Sequence, residues 1–229
     1  MGTLINTAAV VAGALLGILL KKGIKPRFRE ILMSVLGVST IFIGASGTLG
    51  GFSSEENATL LLIFSLVLGA LAGEALKIED RLDALGEWIR RKIGRENDNT
   101  FVEGFVTSSL VICVGAMAVL GALEDGLRGD YSILAAKAIL DLVIVMVFAS
   151  TLGVGVLFSA LPLFAYQGTL TLFAKLLEPL MSERLIANLS FVGSSLIFCV
   201  GVNLAFGKRF KTGNLLPALL VPVLYELIF

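Results

Sequence analysis

Eight stretches of this 229-residue chain are apolar over nearly the length of a bilayer crossing. They fall at about 3–20, 31–50, 58–76, 101–122, 132–152, 155–177, 186–206 and 215–229. A helix needs about 20 such residues to cross the hydrocarbon of a membrane. No water is available there to satisfy backbone N–H and C=O groups, so each crossing must close its own hydrogen bonds. The pattern therefore predicts an all-α, polytopic transmembrane bundle of about eight helices, or seven, forming a single integral membrane domain over residues 1–229. The last run is short, and Pro217 and Pro222 are placed to bend it. No polar linker separates the fifth run from the sixth. Their boundary lies either at "GVG" (153–155) or nearer Pro162.

Composition excludes several classes. Hydrophobic residues make up 56% and charged residues 16%, with a mean hydropathy of +0.93; soluble domains run at roughly 45–50% and about 25%. Net charge is zero, against a nucleic-acid partner. There is no histidine, and Cys113 and Cys199 both lie in apolar runs. Zinc and haem sites of the usual type, Ser-His-Asp chemistry and a disulfide framework all lose their residues. We expect no cofactor, no metal and no enzymatic role. The N-terminus lacks the basic n-region of a signal peptide, so the first run reads as a retained helix. Asn6 stands where a myristoylation signal requires Ser or Thr.

Orientation follows from Lys and Arg, which accumulate in cytoplasmic loops. Residues 21–30 carry five, 77–97 carry six and 207–214 carry three. The intervening loops 51–57, 123–131 and 178–185 carry none, one and one. Eight crossings with both termini outside the cytoplasm satisfy this alternation.

The 77–97 connector is amphipathic. Ile78, Leu82, Leu85, Ile89 and Ile93 recur at helical spacing, with Trp88 beside them and charges opposite. That suits a helix in the cytoplasmic interface with its Trp at headgroup level; an amphipathic helix that only docks on the bundle would read the same.

An internal repeat is present. "FVTSSLVICVGAM" (105–117) and "FVGSSLIFCVGVN" (191–203) match at eight of thirteen positions without a gap, with Ser-Ser, Cys and Gly in register. The fourth and seventh helices cross in opposite senses in this topology, so helices 3–5 and 6–8 read as inverted copies. One gap then sets Asp141 opposite Glu226. A looser echo links "GALLG" (13–17) with "GALAG" (69–73). Inverted repeats are common in secondary transporters, whose substrates bind near the midplane.

Asp141 is the polar residue that most needs explaining. It lies nine residues into the fifth helix, roughly 13 Å deep at 1.5 Å per residue, near the middle of a core about 30 Å thick. A charged Asp there costs at least about 2.5–3.5 kcal/mol, so it should face protein or water. Lys137 is four residues earlier and able either to pair with it or to snorkel outward; the order Lys-then-Asp is the less favoured one on a helix. The pair is therefore either functional or a self-neutralising structural element. The face continues through Phe148, Thr151, Gly155 and Ser159, a small and weakly polar stripe that fits close packing or a narrow path. Glu226, Asn203 and Gln167 are secondary polar candidates. Each of these, like Asn6 and Glu74, has an ordinary structural reading as a helix bridge, a cap or an interfacial group. Cys113 and Cys199 read as small apolar fillers, and "LGVGVLFSALP" as a breakable segment.

At "GDYSILAAKAILD" and "FASTLGVGVLFSALPLFAYQGTLTLFA" the chain resembles the YqgA/YdfK-type bacterial inner-membrane proteins, a family grouped as a domain of unknown function. "GTLINTAAVVAGALLGILLKKGI" and "CVGAMAVLGALEDGL" fit the same family, and the resemblance covers essentially the whole chain. It departs at Ala116, where many relatives are expected to have Pro. The resemblance implies a multi-pass bacterial plasma-membrane protein, of a kind often described as a transporter. It carries no substrate and no binding residues with it.

The expected function is a secondary transporter or ion conduit for a small solute or ion. Asp141 is its binding or coupling carboxylate and Lys137 its charge partner or a competitor for it. Glu226, Asn203 and Gln167 supply secondary contacts. The expected surroundings are the lipid bilayer, and a homo-oligomer is compatible with the sequence. The alternative is a membrane sensor, scaffold or assembly subunit acting through the connector.

Overall fold

The structure is a computed structural model that describes residues 1–21, 26–53, 58–95, 98–113, 116–180 and 182–228. Among the described residues the secondary structure is helical throughout. The α-helices are α1 (Gly2–Lys21), α2 (Pro26–Phe52), α3 (Ala58–Leu76), α4 (Ile78–Lys92), α5 (Phe101–Cys113), α6 (Ala116–Arg128), α7 (Ser132–Leu152), α8 (Ala160–Leu172), α9 (Ala174–Leu177), α10 (Glu183–Phe206) and α11 (Leu220–Ile228). Short 3₁₀ segments cover Val154–Ser159, Glu178–Leu180 and Thr212–Leu219.

Among the described residues, six helical stretches are long and apolar enough to cross a membrane. They are Gly2–Leu20, Glu30–Phe52, Ala58–Leu76, Ser132–Leu152, Val154–Leu172 and Glu183–Phe206. A seventh arises if α5 and α6, whose axes differ by 62°, are taken together. The sequence makes 101–122 one apolar run; its described parts are two helices, Phe101–Cys113 and Ala116–Arg128. The expected eighth run is not one α-helix either. Pro217 has no N–H to donate and stands inside a 3₁₀ segment, which gives way to α11 three residues later. The looser rise of a 3₁₀ helix, about 2.0 Å per residue, lets Thr212–Ile228 extend about 29 Å, close to a core thickness of about 30 Å.

The boundary left open in the sequence falls at "GVG". α7 ends at Leu152, and Gly153 takes φ 85° and ψ −147°, a region essentially closed to residues with a Cβ. Pro162 then sits in the first turn of α8, where a missing N–H costs nothing.

The chain forms two compact units. The first comprises Met1–Leu32, Asp83–Cys113 and Met117–Met181. Its centre is the seam between α1 and α7. Gly2 lies against Leu134, Gly13 against the Leu142 carbonyl and Gly17 against the Met146 carbonyl, so the two helices run parallel. A Cβ at Gly13 or Gly17 would overlap the α7 backbone. Small residues here let two helices approach to backbone contact, which is the means of helix association in lipid. α5 closes on the next segment in the same way, with Gly155 against the Phe101 carbonyl. Ile89 from α4 packs on Phe101 and Phe105.

The second unit comprises Met33–Leu82, Val114–Ala116 and Ser182–Phe229. In it α2 and α10 run antiparallel, with Gly37 on Ala205, Gly44 on Phe198 and Gly51 on Phe191. The Thr212–Leu219 segment runs antiparallel to α3 through Gly69 and Gly73, which meet Ala218 and Asn214. The core is Ala58, Leu61, Phe191, Val192, Leu196 and Ala218. Outward faces remain strongly apolar: Leu19, Phe42, Phe64, Leu71, Ile139 and Leu172 are each more than half exposed. In water such surface would be costly, whereas in a bilayer it is the solvated face.

Candidate functional site

The site lies wholly within the first unit and is assembled by α1, α5, α7 and α8. One buried face of α7 carries Lys137 and Asp141, one turn apart. Lys137 Nζ donates to Asp141 Oδ2 at 2.5 Å and to the Ile112 carbonyl at 2.8 Å. Ile112 is the next-to-last residue of α5, so its carbonyl has no intrahelical donor ahead of it. The glycine seam brings α1 close enough for Asn6 Nδ2 to donate to Asp141 Oδ2 at 3.0 Å. The same Nδ2 donates to Gln167 Oε1 from α8 at 3.2 Å.

Lys137 therefore does not snorkel. Its residue is only 6% exposed and Asp141 only 3%. The unfavoured Lys-then-Asp order still yields a pair because α5 holds the Lys137 end and α1 the Asp141 end. The pair is neutral overall, and its Coulomb attraction in a low-dielectric interior offsets the cost of desolvating two charges. Satisfaction is nevertheless incomplete. Among the described residues, Asn6 Oδ1 and Gln167 Nε2 have no hydrogen-bond partner, although both residues are fully buried. Most buried polar atoms in proteins are paired. The cluster thus holds one spare acceptor and one spare donor.

The stripe below Asp141 packs rather than opens. Phe148, Thr151 and Ser159 are buried, and Gly155 has no room for a Cβ. Thr151 Oγ1 donates to the Phe148 carbonyl and Ser159 Oγ to the Val156 carbonyl, each closing on its own turn.

Of the candidates read from sequence, Asp141, Lys137 and Gln167 come together. Asn203 and Glu226 belong to the second unit, and each has local partners there. Asn203 Oδ1 accepts from the N–H groups of Arg209 and Phe210, and its Nδ2 donates to the Phe210 carbonyl. It ties the turn after α10 rather than bridging helices. Glu226 Oε1 accepts from Ser182 Oγ, and Ser182 is the N-cap of α10, accepting from Leu185 N–H. The expected mirror of Asp141 thus serves a helix start. Glu74 is exposed, as expected, and binds Lys211 and Asn214. The Glu74 carboxylate holds the Lys211 ammonium above the usual lysine range. Glu79, buried, accepts from Gly213 N–H and Lys208 while its own N–H donates to Asn214 Oδ1.

Three participants carry little or no signal in the sequence. Asn6 reads as a cap, yet it is the only side-chain amide in α1, which has no ionisable side chain from Gly2 to Leu20, and that is the one hint available. The Ile112 carbonyl is a backbone group near the C-terminal end of α5, which no side chain in the sequence marks. Asp125 reads as a loop residue; it is buried on α6 and accepts from Gly2 N–H at 2.8 Å, fixing the start of α1.

A family model described as "Protein of unknown function (DUF554)" matches residues 1–227. The chain belongs to that family. It is 35% identical over 221 residues to the "Uncharacterized membrane protein YdfK" of Bacillus subtilis (strain 168), covering 96% of this chain and 93% of that protein. It is 32% identical over 229 residues to the "Uncharacterized protein YqgA" of Escherichia coli (strain K12), covering 96% and 94%. No solved structure matches the chain. A multi-helix membrane protein in contact with the bilayer accounts for both the relatives and the apolar outer faces.

Proposed function

We propose that this member of the DUF554 family is a secondary transporter or ion conduit of the bacterial plasma membrane. Asp141 is its binding or coupling carboxylate, both termini lie outside the cytoplasm, and the protein catalyses no covalent reaction. The observation that carries the reading is the buried Asn6–Asp141–Lys137–Gln167 cluster with its two unpartnered amide atoms. Three features support it. Ionisable groups buried in a bundle interior mark ion and proton pathways by default. Discontinuous helices whose C-terminal carbonyls face a cation are the usual way transporters build ion sites; α5 ends on the Lys137 ammonium in that manner. The repeat places "FVTSSLVIC" on α5 and its copy on α10, one in each unit. Ser109 and Ser195, which are equivalent in the repeat, both donate to the carbonyl of the equivalent Phe four residues earlier.

The test is Asp141→Asn in the full chain reconstituted into vesicles loaded with a pH dye and a potential dye, challenged with a panel of salts and small solutes. Transport is lost while the variant still inserts and purifies as a monodisperse species. Retained flux, or a variant that does not fold, sinks the role of Asp141.

A second reading has one observation of its own. Trp88 on α4 is 58% exposed with Lys92 over its ring at 5.5 Å, beside Arg90 and Arg91. A sensor or scaffold acting through 77–97 would lose a crosslinked partner, with no change of flux, when that segment becomes a neutral linker of equal length.

A further inference from the structure

We infer that the cluster is a monovalent-cation site in which the Lys137 ammonium is the tethered occupant, exchanged for a free alkali cation at the expense of one proton. The inference rests on the transport reading and names its ion and its coupling.

The first argument is the ligand set. The ammonium is held by two oxygens, Asp141 Oδ2 and the Ile112 carbonyl. Two more oxygens belong to the same cluster: Gln167 Oε1, bonded to Asn6, and Asn6 Oδ1. Hard cations take such sets of carboxylate, amide and backbone oxygens. In the structure Asn6 offers Asp141 and Gln167 its nitrogen. Turning the amide over puts Oδ1 in that place, so that it converges with Asp141 Oδ2 and Gln167 Oε1. The turn gives up no contact on the other side, because Oδ1 has none there. Gln167 Nε2 is equally unpartnered. The unsatisfied pair is thus what an amide with two working orientations leaves behind in one of them.

The second argument is charge. Lys137 and Asp141 sum to zero in an interior where an unpaired charge costs several kcal/mol. Adding a cation while Lys137 stays protonated would bury a net positive charge. Neutrality is kept if the ammonium becomes an amine: Lys137–NH₃⁺ plus the cation gives Lys137–NH₂, the bound cation and one proton released to water. The other ionisable groups on the elements around the pair are few or already paired. α6, which meets α7 where Gly121 lies against Leu134, carries Glu124, Asp125 and Arg128; Glu124 pairs with Arg128, and Asp125 accepts from the Met1 ammonium and Gly2 N–H. α1 has no ionisable side chain from Gly2 to Leu20, and α8 has only Tyr166. α5 has only Glu103, near its start, and Cys113, whose thiol lies within electrostatic reach of both Lys137 and Asp141. Thiol and phenol are both neutral in their protonated forms.

The experiment titrates the detergent-purified full chain with sodium, potassium and, as control, choline chloride. It is run between pH 6 and pH 9 in weak buffer with a pH indicator. Sodium or potassium is expected to bind and to release one proton per ion, with apparent Kd rising about tenfold for each pH unit lowered. Lys137→Gln keeps a donor toward Asp141 but has no proton to give. It is expected to bind the ion with a pH-independent Kd and no proton release. Asp141→Asn is expected not to bind. If neither ion binds the parent protein better than choline, or if binding releases no proton, or if Lys137→Gln behaves like the parent, the inference is overturned. An Asp141-dependent flux of some other solute in vesicles would then leave the transport reading standing. A flux indifferent to Asp141 would remove that reading as well.

Discussion

Replacing Lys137 by methionine tests the energetic core of the site. The ammonium is nearly fully buried and holds two partners, Asp141 Oδ2 at 2.5 Å and the Ile112 carbonyl at 2.8 Å. Methionine fills similar volume but leaves a carboxylate uncompensated in the interior. Removing one partner of a buried pair costs about 3–5 kcal/mol. For a chain of 150–250 residues about 2–4 °C of melting temperature is lost per kcal/mol, so the expected drop is about 6–20 °C. The measurement is thermal unfolding of the detergent-purified chain, followed by circular dichroism, with choline as the only cation so that no ion substitutes for the ammonium. The double variant Lys137→Met/Asp141→Asn removes both charges and keeps an oxygen at position 141 for the Asn6 amide. Its remaining loss is the unpartnered buried Ile112 carbonyl, about 1–3 kcal/mol, and it should melt above the single variant. A single variant melting within about 2 °C of the parent, a shift worth at most about 1 kcal/mol, would show that the pair is not buried as described. A double variant no better than the single would show that charge compensation is not what holds the cluster.

Other consequences are open to the same measurement. Gly13→Val drives a branched side chain into the Leu142 carbonyl and should destabilise by at least about 1–3 kcal/mol, whereas Gly50→Ala, with open space around it, should be neutral. Gly153→Ala places a Cβ where φ is 85° and should cost about 1–3 kcal/mol. Ser132 N–H and Oγ bond Asp130 and hold its carboxyl below the usual range. Asp130→Ala should therefore lower the melting temperature at neutral pH, and the gap should close as pH falls through the depressed Asp130 value, where the parent also loses its ionised form.

Much of the fold is legible in the chain. Each long apolar run must become a helix in lipid, since nothing else satisfies its backbone there. "GVG" marks the break after α7 because only glycine accepts the φ and ψ that Gly153 adopts. The limits appear where helices depart from regularity. α5 and α6 part by 62° at a place with no proline to announce it, and the last crossing-length run becomes 3₁₀ plus α11. In the last run Pro217 removes the N–H that a continuous α-helix would need, whereas the bend between α5 and α6 has no such mark in the sequence.

The site divides the same way. Sequence determines that Asp141 lies deep in an apolar helix and that Lys137, four residues away, is within its reach, because helical periodicity fixes both. It also supplies the small residues of α1 that allow a close seam. Only the tertiary structure decides that the seam is with α7, that Asn6 and Gln167 consequently meet Asp141, and that the end of α5 turns a carbonyl toward Lys137. It also decides that Asn203 and Glu226 serve turns and caps instead. Depth along one helix is a one-dimensional property and can be counted from the sequence. Which polar groups converge depends on the direction each helix faces, and that is set by packing between segments 25 to 161 residues apart in the chain.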